Sequence, residues 1–396
     1  MKRKGFLIAL GVILLAGVSL AGWLMTQSPH KSLNDELTSI ISSSAGADKP
    51  IKNDVLCVAK GDGSFTWSGA AGYADPPNGV LMTADTPIYI ASVTKLYTAT
   101  VIMILYEKGQ LSLDDPMAKY LPDDLIHGIQ VYQGHDYSHE ITIAQLLAQT
   151  SCIPDYYDEK ARDGKTLFDL LLADPGRAWT VDETIARARD EMSPSFKPGD
   201  KAFYSDTNYQ LLGKTIEART GKPLEAVFEG FLFRPLDLKH TWLVGRSQPM
   251  EQPAAAVAQV YSKEVNISGI RVKTVYWADG GIVSTAQDCV TFLKALNQGR
   301  IIKPETLAKM HQWKPLSNSG MPFQYGYGTM EFVPPSFGNM LVKVPAVWGA
   351  TGSTGSFLYY AQDLDLYMAG TINQVNDKIT PIMMMIRVMK AFQDQK

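Results

Sequence analysis

The chain has 396 residues, 45% hydrophobic and 19% charged, and its 37 Lys and Arg against 40 Asp and Glu leave a formal charge of −3. This composition excludes a disordered, collagenous or disulfide-scaffold protein, and the absence of a basic run beyond residue 4 argues against nucleic acid as a partner. The length allows two or three domains, or one large domain with an insertion, and either buries a full core without a metal or disulfide staple.

In chain order, Lys2, Arg3 and Lys4 precede an uncharged apolar run from Gly5 to Met25. That order marks an export segment. Ser19 and Ala21 have the spacing of a signal-peptidase site, but an apolar run this long, at about 1.5 Å per residue, also reaches the roughly 30 Å of a bilayer core. Residues 1–25 are therefore expected to be a signal peptide or an N-terminal membrane anchor. The positive flank keeps the N-terminus inside and sends the rest out, to be secreted, periplasmic or anchored on the outer face of the cytoplasmic membrane. Residues 26–50 are polar and Ser-rich and read as a spacer.

The globule is expected from residue 51. Residues 55–60 and 64–73 read as a hairpin turning at Gly61-Asp62-Gly63. Residues 92–108 form a helix stopped by Gly109, and its unbroken apolar block at 101–105 makes it a central one. Residues 116–271 read as mostly helical, with helices near 142–150, 181–192, 208–220 and 224–233. Gly280-Gly281-Ile282-Val283 then leads into a helix at 286–297, strand patterns return at 326–332, 341–348, 356–361 and 365–371, and a last helix spans 381–392. Its Met383, Met384, Met385 and Met389 read as core packing. Cys57, Cys152 and Cys289 sit in apolar settings and read as buried small hydrophobes. The fold class is α/β (α+β): an antiparallel sheet flanked by helices, built from both chain ends (51–115 and 272–396), with a helical domain (116–271) inserted.

Three stretches carry chemistry. In Ser92-Val93-Thr94-Lys95 the lysine stands one helical turn after the serine, so its amine shares a face with a hydroxyl that needs a base to act as nucleophile. At the helix start Ser92 also has free N–H groups able to hold an oxyanion. Ser28-Pro29-His30-Lys31 matches the same spacing, so the pattern alone is weak. In Tyr204-Ser205-Asp206 the phenol becomes a usable base where ammonium groups stand close, although such a triplet in a loop is usually a capping turn. In Trp348 to Ser356, glycines at every third place open a strand edge to a substrate amide. The Gly-Lys-Thr triplets at Gly164 and Gly213 lack the upstream glycine of a phosphate loop.

In order and in surrounding text these stretches resemble the serine penicillin-recognising enzymes, in the branch of class C β-lactamases, D-Ala-D-Ala carboxypeptidases, D-peptidases and related esterases. The resemblance covers about residues 55–371. Supporting it are Ile90 to Lys95, Gly109 to Asp115, Lys119-Tyr120-Leu121-Pro122, Gln149-Thr150-Ser151, Pro198-Gly199-Asp200, Tyr204 to Gly213, Arg234-Pro235-Leu236 and Gly280 to Thr285. The resemblance implies a β-lactamase/transpeptidase-like fold with the site between its two domains. By motif, Ser92 is the nucleophile, Lys95 holds and helps deprotonate it, and Tyr204 moves the proton to the leaving group. Asp206 stands in a place usually held by Asn, the N–H groups of Ser92 and Ser353 form the oxyanion hole, and Thr351 and Gly352 line the substrate edge. No metal or cofactor is implied.

Two departures bear on activity. Ala350 replaces the Lys or His that usually opens the third motif and receives a substrate carboxylate, and Asp206 brings a carboxylate that can pair with Lys95. Gln149 also replaces a frequent His, in a place that reads as structural. His135 and His139 stand four apart as on a metal-binding helix, but Gly134, Asp136 and Ser138 favour a solvated loop. Asp114-Asp115 and Asp123-Asp124 read as turn and cap residues. The leading expectation is an exported serine hydrolase of D-Ala-D-Ala carboxypeptidase or D-peptidase type, working through an acyl-enzyme on a small peptide or β-lactam. An esterase on neutral acyl substrates and a catalytically weakened penicillin-binding sensor are the alternatives. The membrane is a partner if the N-terminal segment stays uncleaved.

Overall fold

The computed structural model describes residues 32–395 apart from 47, 272–274, 335–343 and 376. The export segment, residues 26–31 of the spacer with the Ser28 to Lys31 match, and residues 341–343 of the strand expected at 341–348 lie outside the described residues.

Among the described residues the two chain ends build one antiparallel sheet of nine strands. The N-terminal end supplies β1 (Asn53–Lys60), β2 (Thr66–Asp75) and β3 (Val80–Leu81). The C-terminal end supplies β4 (Lys314–Pro315), β5 (Phe323–Tyr325), β6 (Met330–Phe332), β7 (Val347–Thr351), β8 (Phe357–Ala361) and β9 (Leu366–Thr371). The order is β4-β5-β6-β7-β8-β9-β1-β2-β3. The ends meet where β1 pairs with β9, from Val55 opposite Thr371 to Lys60 opposite Leu366.

The long helices are α1 (Leu33–Ser44), α2 (Thr94–Glu107), α3 (Asp206–Thr220), α4 (Ala286–Asn297) and α5 (Thr380–Asp394). Helix α4 covers β1, β8 and β9, while α1 and α5 pack on each other and on β1, β2 and β9. Alternation along β1 puts these layers on opposite faces. Cys57 donates to Gln287 of α4 at 3.2 Å, whereas a side chain on Gly69, the partner of Leu56, would strike Ile41 of α1. With both faces covered, β1 is buried from Asn53 to Ala59, which is why its sequence runs apolar without alternating. All three cysteines are buried and free.

Helix α1 corrects the spacer reading. Ser32 caps it by accepting from the Asp35 amide at 3.2 Å. Leu37, Ile40 and Ile41 are buried in the main core. The packed part of the chain therefore reaches back at least to α1, and the serines that suggested a spacer lie mostly on the outer side of an amphipathic turn. In α5, Met384, Met385 and Met389 are buried, so this helix is core packing. No described helix is long and apolar enough to cross a membrane.

Between the chain ends, short helices at Ile143–Leu147 and Val181–Glu191 start at Thr142 and Thr180, each closing a capping box with Gln145 or Glu183. Two facts of packing fix the site. First, α2 is buried on all sides from Thr94 to Leu105, with each large aliphatic side chain contributing about 1.5–3 kcal/mol of burial. Second, α3 crosses close to Trp277 and Ala278, because a Cβ on Gly213 would come within 2.6 Å of each. The Gly-Lys-Thr triplet at Gly213 is thus a packing seam. A three-stranded sheet of Ile88–Tyr89, Ile282–Ser284 and Trp242–Leu243 ties the segment before Ser92 to the one entering α4.

Candidate active site

Ser92 lies in the 3₁₀ turn Ala91–Val93 that runs straight into α2. Ala91 before it is held at φ +46°, a left-handed conformation that an L-residue adopts at some cost. One turn on, Lys95 is 1% exposed. Its ammonium donates to Ser92 Oγ at 3.1 Å, to the Asp279 carbonyl at 2.8 Å and to Asp206 Oδ1. It also stands 4.9 Å from the centre of the Tyr204 ring. The structure brings Ser92, Lys95, Tyr204 and Asp206 together from α2 and the mouth of α3.

The loop carrying Tyr204 and Asp206 is fixed from several directions. Asn318 accepts from the Tyr204 amide at 2.8 Å and donates to its carbonyl at 3.1 Å. Buried Gln149 accepts from the Ser205 amide at 3.0 Å and from the Asn208 side chain at 2.6 Å. The glutamine therefore holds the loop, the structural part that its position in the sequence suggested. The Tyr204 ring meets Tyr325 edge-on at 5.9 Å, and Tyr325 donates to Tyr209 at 3.3 Å.

Charge in this group is acidic. Burial works against a charged Lys95, but Asp206 first, with Tyr204 and Asp279 behind it, holds its pKa well above the ordinary value. Burial raises the Tyr204 phenol well above its usual range, and Lys95 opposes this while Asp206 adds to it. At neutral pH the resting group is an ammonium, a neutral phenol and a hydroxyl. Two further buried carboxyls stand behind them. Asp279 is pushed up to about 6 by burial and by Asp206, and it accepts from the Tyr156 hydroxyl and the Trp277 amide. Asp155 is raised well above the carboxylate range by burial and by Asp206, and it accepts from the Asp206 amide at 3.2 Å.

Sequence reasoning missed Asp155, Tyr156 and Asp279. Asp279 stands one residue before the Gly280-Gly281 stretch that was noticed, and Asp155-Tyr156 closely follows Gln149-Thr150-Ser151, so proximity to motifs was the available signal.

The third motif closes the site from the sheet. Thr351 ends β7, and a hairpin turn follows in which the Gly352 amide donates to Ser356 O at 2.8 Å. Thr354 and Ser356 donate to the carbonyls of Tyr89 and Ile90 at 2.8 Å each, so the turn is stitched to the strand that delivers Ser92. A Cβ on Gly352 would fall 2.5 Å from Ile90 O and 3.0 Å from the Ala91 Cβ, which explains the glycine there. Ser353 is exposed at the tip of this turn, and Ala350, two residues before Gly352, is buried on β7. His135 and His139, by contrast, lie far along the chain and do not share a partner, since His135 pairs with Glu140 and His139 with Asp123.

The Beta-lactamase family profile matches residues 47–380. Over 170 residues the chain is 35% identical to Protein flp of Staphylococcus aureus (strain MW2), a match spanning 43% of this chain and 30% of that protein. In three dimensions it is similar to a D-stereospecific amidohydrolase from Streptomyces sp., with TM-score 0.70, 28% identity, and coverage of 88% of this chain and 97% of that one. It also superposes on the D-amino acid amidase of Ochrobactrum anthropi SV3 with TM-score 0.75 at 22% identity, covering 92% and 100% of the two chains.

Proposed function

The chain belongs to the beta-lactamase family, and we propose that it is a serine hydrolase that opens amide or ester bonds of D-configured acyl groups through an acyl-enzyme on Ser92. The carrying observation is the buried Lys95 amine 3.1 Å from Ser92 Oγ, oriented by Asp206 and by the Asp279 carbonyl. The substrate class draws on the similarity to a D-stereospecific amidohydrolase.

The Lys95–Asp206 pair supplies the base. A proton passes from the Lys95 ammonium to the Asp206 carboxylate, the freed amine takes the Ser92 proton, and Oγ adds to the substrate carbonyl. Ser92 and Ser353 N–H groups hold the oxyanion. The Tyr204 phenol then protonates the departing amine or alkoxide and is refilled from Lys95, leaving the acyl ester, a neutral lysine and a protonated Asp206. Water enters by the reverse sequence: the lysine takes its proton, hydroxide adds to the ester, and Ser92 regains a proton as the acid leaves.

The test is mass spectrometry of the intact protein after exposure to D- and L-amino acid amides, D-Ala-D-Ala peptides, penicillins and short p-nitrophenyl esters. An adduct with D-configured amides that disappears in Ser92→Ala supports the reading; equal adducts in Ser92→Ala refute it. Ester turnover without any D-amide turnover would favour the esterase reading, which the lack of a cation at Ala350 motivates. The apolar run at 5–25 further supports work outside the cytoplasm. A reporter fusion after residue 50 that is active only when exported tests this.

A further inference from the structure

We propose that Asp123, His127 and His139 form a surface site for one divalent transition ion, zinc in its natural state, with water completing the coordination. Each residue offers one ligand atom, and these atoms lie within 4.8 Å of one another. A tetrahedral zinc site with bonds of about 2.1 Å sets its ligands roughly 3.4 Å apart, so closure takes about an ångström of movement in exposed side chains.

The backbone prepares this arrangement. Asp123 and His127 bracket the single helical turn Asp123–Ile126, with the His127 amide donating to Asp123 O at 2.8 Å. Four residues apart across one turn, they share a face. His139 arrives from the other side of the hairpin of Val131–Tyr132 and His135–Asp136. Its neighbour Ser138 is buried and accepts from the Gln130 amide at 3.1 Å, and the Tyr137 amide donates to Gln130 O at 2.8 Å. His139 Nε2 already meets Asp123 Oδ1 at 2.7 Å, and the two imidazoles lie 6.0 Å apart.

Asp136 gives the independent support. One of its oxygens accepts from the Gly128 amide at 3.1 Å and the other from the Ser138 amide at 2.9 Å. So fixed, it stands 3.5 Å from His127 Nδ1. A carboxylate behind a histidine ring nitrogen sets the tautomer and turns the other nitrogen toward a metal. Two imidazoles facing one carboxylate repel when both are protonated. A divalent cation between them satisfies both as neutral donors. Two nitrogens and one carboxylate oxygen suit zinc, copper or nickel rather than magnesium or calcium. His135 lies outside this group and meets Glu140, which is not one of its three residues, at 2.6 Å.

The test uses the untagged chain after chelator dialysis. Zinc is titrated by calorimetry, and copper(II) is followed by electron paramagnetic resonance for coupling to two imidazole nitrogens. One saturable site is expected. His127→Ala and His139→Ala should each weaken zinc by more than tenfold and Asp136→Asn by about tenfold, with unchanged circular dichroism. His135→Ala and Ser92→Ala should bind within about twofold of wild type, which separates this site from the proposed hydrolase chemistry. Absence of saturable zinc binding at millimolar concentration, binding insensitive to His127→Ala, or loss confined to His135→Ala would each overturn the assignment.

Discussion

Asp206→Asn probes the arrangement most directly, because it removes one charge and keeps the shape. The Lys95 and Asp206 side chains are 2% and 11% exposed, so their pair gets little help from solvent. Deleting one partner of a buried pair costs about 3–5 kcal/mol. The amide oxygen of Asn still accepts from the ammonium, and Ser92 Oγ and the Asp279 carbonyl remain at 3.1 and 2.8 Å. The expected loss is therefore near the lower end, about 3 kcal/mol, or roughly 4 °C in Tm for a chain of this size. The lysine pKa is raised by the pair above its unfolded value of 10.5, so the pair's stabilisation is complete below that value and fades only as pH climbs past it. The gap between wild type and variant should thus hold while both lysines are charged and narrow above the pH at which the variant's lysine loses its proton. In the variant, burial prevails over the remaining carboxyls and the lysine loses its proton at lower pH. Because the proposed route hands the lysine proton to Asp206, kcat/KM of the variant on a short p-nitrophenyl ester should fall at neutral pH and gain a rising limb set by deprotonation of Lys95 itself. Unfolding curves that coincide, together with superimposable pH profiles, would show that the pair is energetically idle and that the proton path through Asp206 is wrong.

Three other perturbations address the turn, the core and the missing cation. Gly352→Ala places a Cβ 2.5 Å from Ile90 O, pushing the turn off the Ser92 strand; kcat should fall by about 10²-fold with KM little changed, as for loss of an oxyanion donor, and an unaltered kcat would detach this turn from catalysis. Asp54 is buried, and burial lifts its pKa from 3.8 to about 7 against the opposing hydrogen bond from Ser44. Ionising it in the folded state is thus unfavourable, so wild-type stability should drop relative to Asp54→Asn by up to about 4 kcal/mol as pH rises from 4 to 7; parallel stability–pH curves from urea unfolding would contradict this. Ala350→Lys should lower KM for D-peptides ending in a free carboxylate by about tenfold and leave amides unchanged, corresponding to about 1.4 kcal/mol; equal effects on both substrates would show that the position does not face the carboxylate.

What the sequence discloses depends on how local the determinant is. Helix α4 was readable almost residue for residue, since Thr285 caps its start by accepting from the Asp288 amide at 3.2 Å and Gly299 follows its end. The Ser92–Lys95 contact was equally readable, because it spans one turn. Helix α1 was not, although Leu33, Leu37, Ile40 and Ile41 repeat at helical spacing, because its serines imitated a linker. The carboxyls at 155 and 279 were beyond reach for another reason. The Asp279 carbonyl meets Lys95 across 184 residues and its carboxyl meets Tyr156 across 123, and no periodicity encodes a meeting set by the packing of α3 against Trp277. The cation pairing of Asp206 was anticipated from residue type, but its burial, which makes it matter, came only with the fold. His127 went unnoticed because the spacing that joins it to His139 belongs to a hairpin.

Asp206 and Ala350 are best understood as one change in the charge of the site. Compared with the resembling family's usual pattern, an amide has become a carboxylate and a cation has become a methyl group. Each step alone makes the site more negative, and both occur where water is largely excluded and charges interact strongly. A substrate carboxylate would meet Asp206 with Lys95 already committed to it and with no second cation on β7, so a free acid at the leaving side is disfavoured. A ligand carrying an ammonium finds the opposite field, with Asp206 and, above about pH 6, the buried carboxylate of Asp279 behind it. The same charges that keep Lys95 protonated at rest thus select among substrates. Discrimination between a D-amino acid amide and its N-acetylated form should therefore weaken in Asp206→Asn, the variant that also shifts the pH profile. If that preference persisted while the profile moved, substrate selection and proton transfer would rest on different residues.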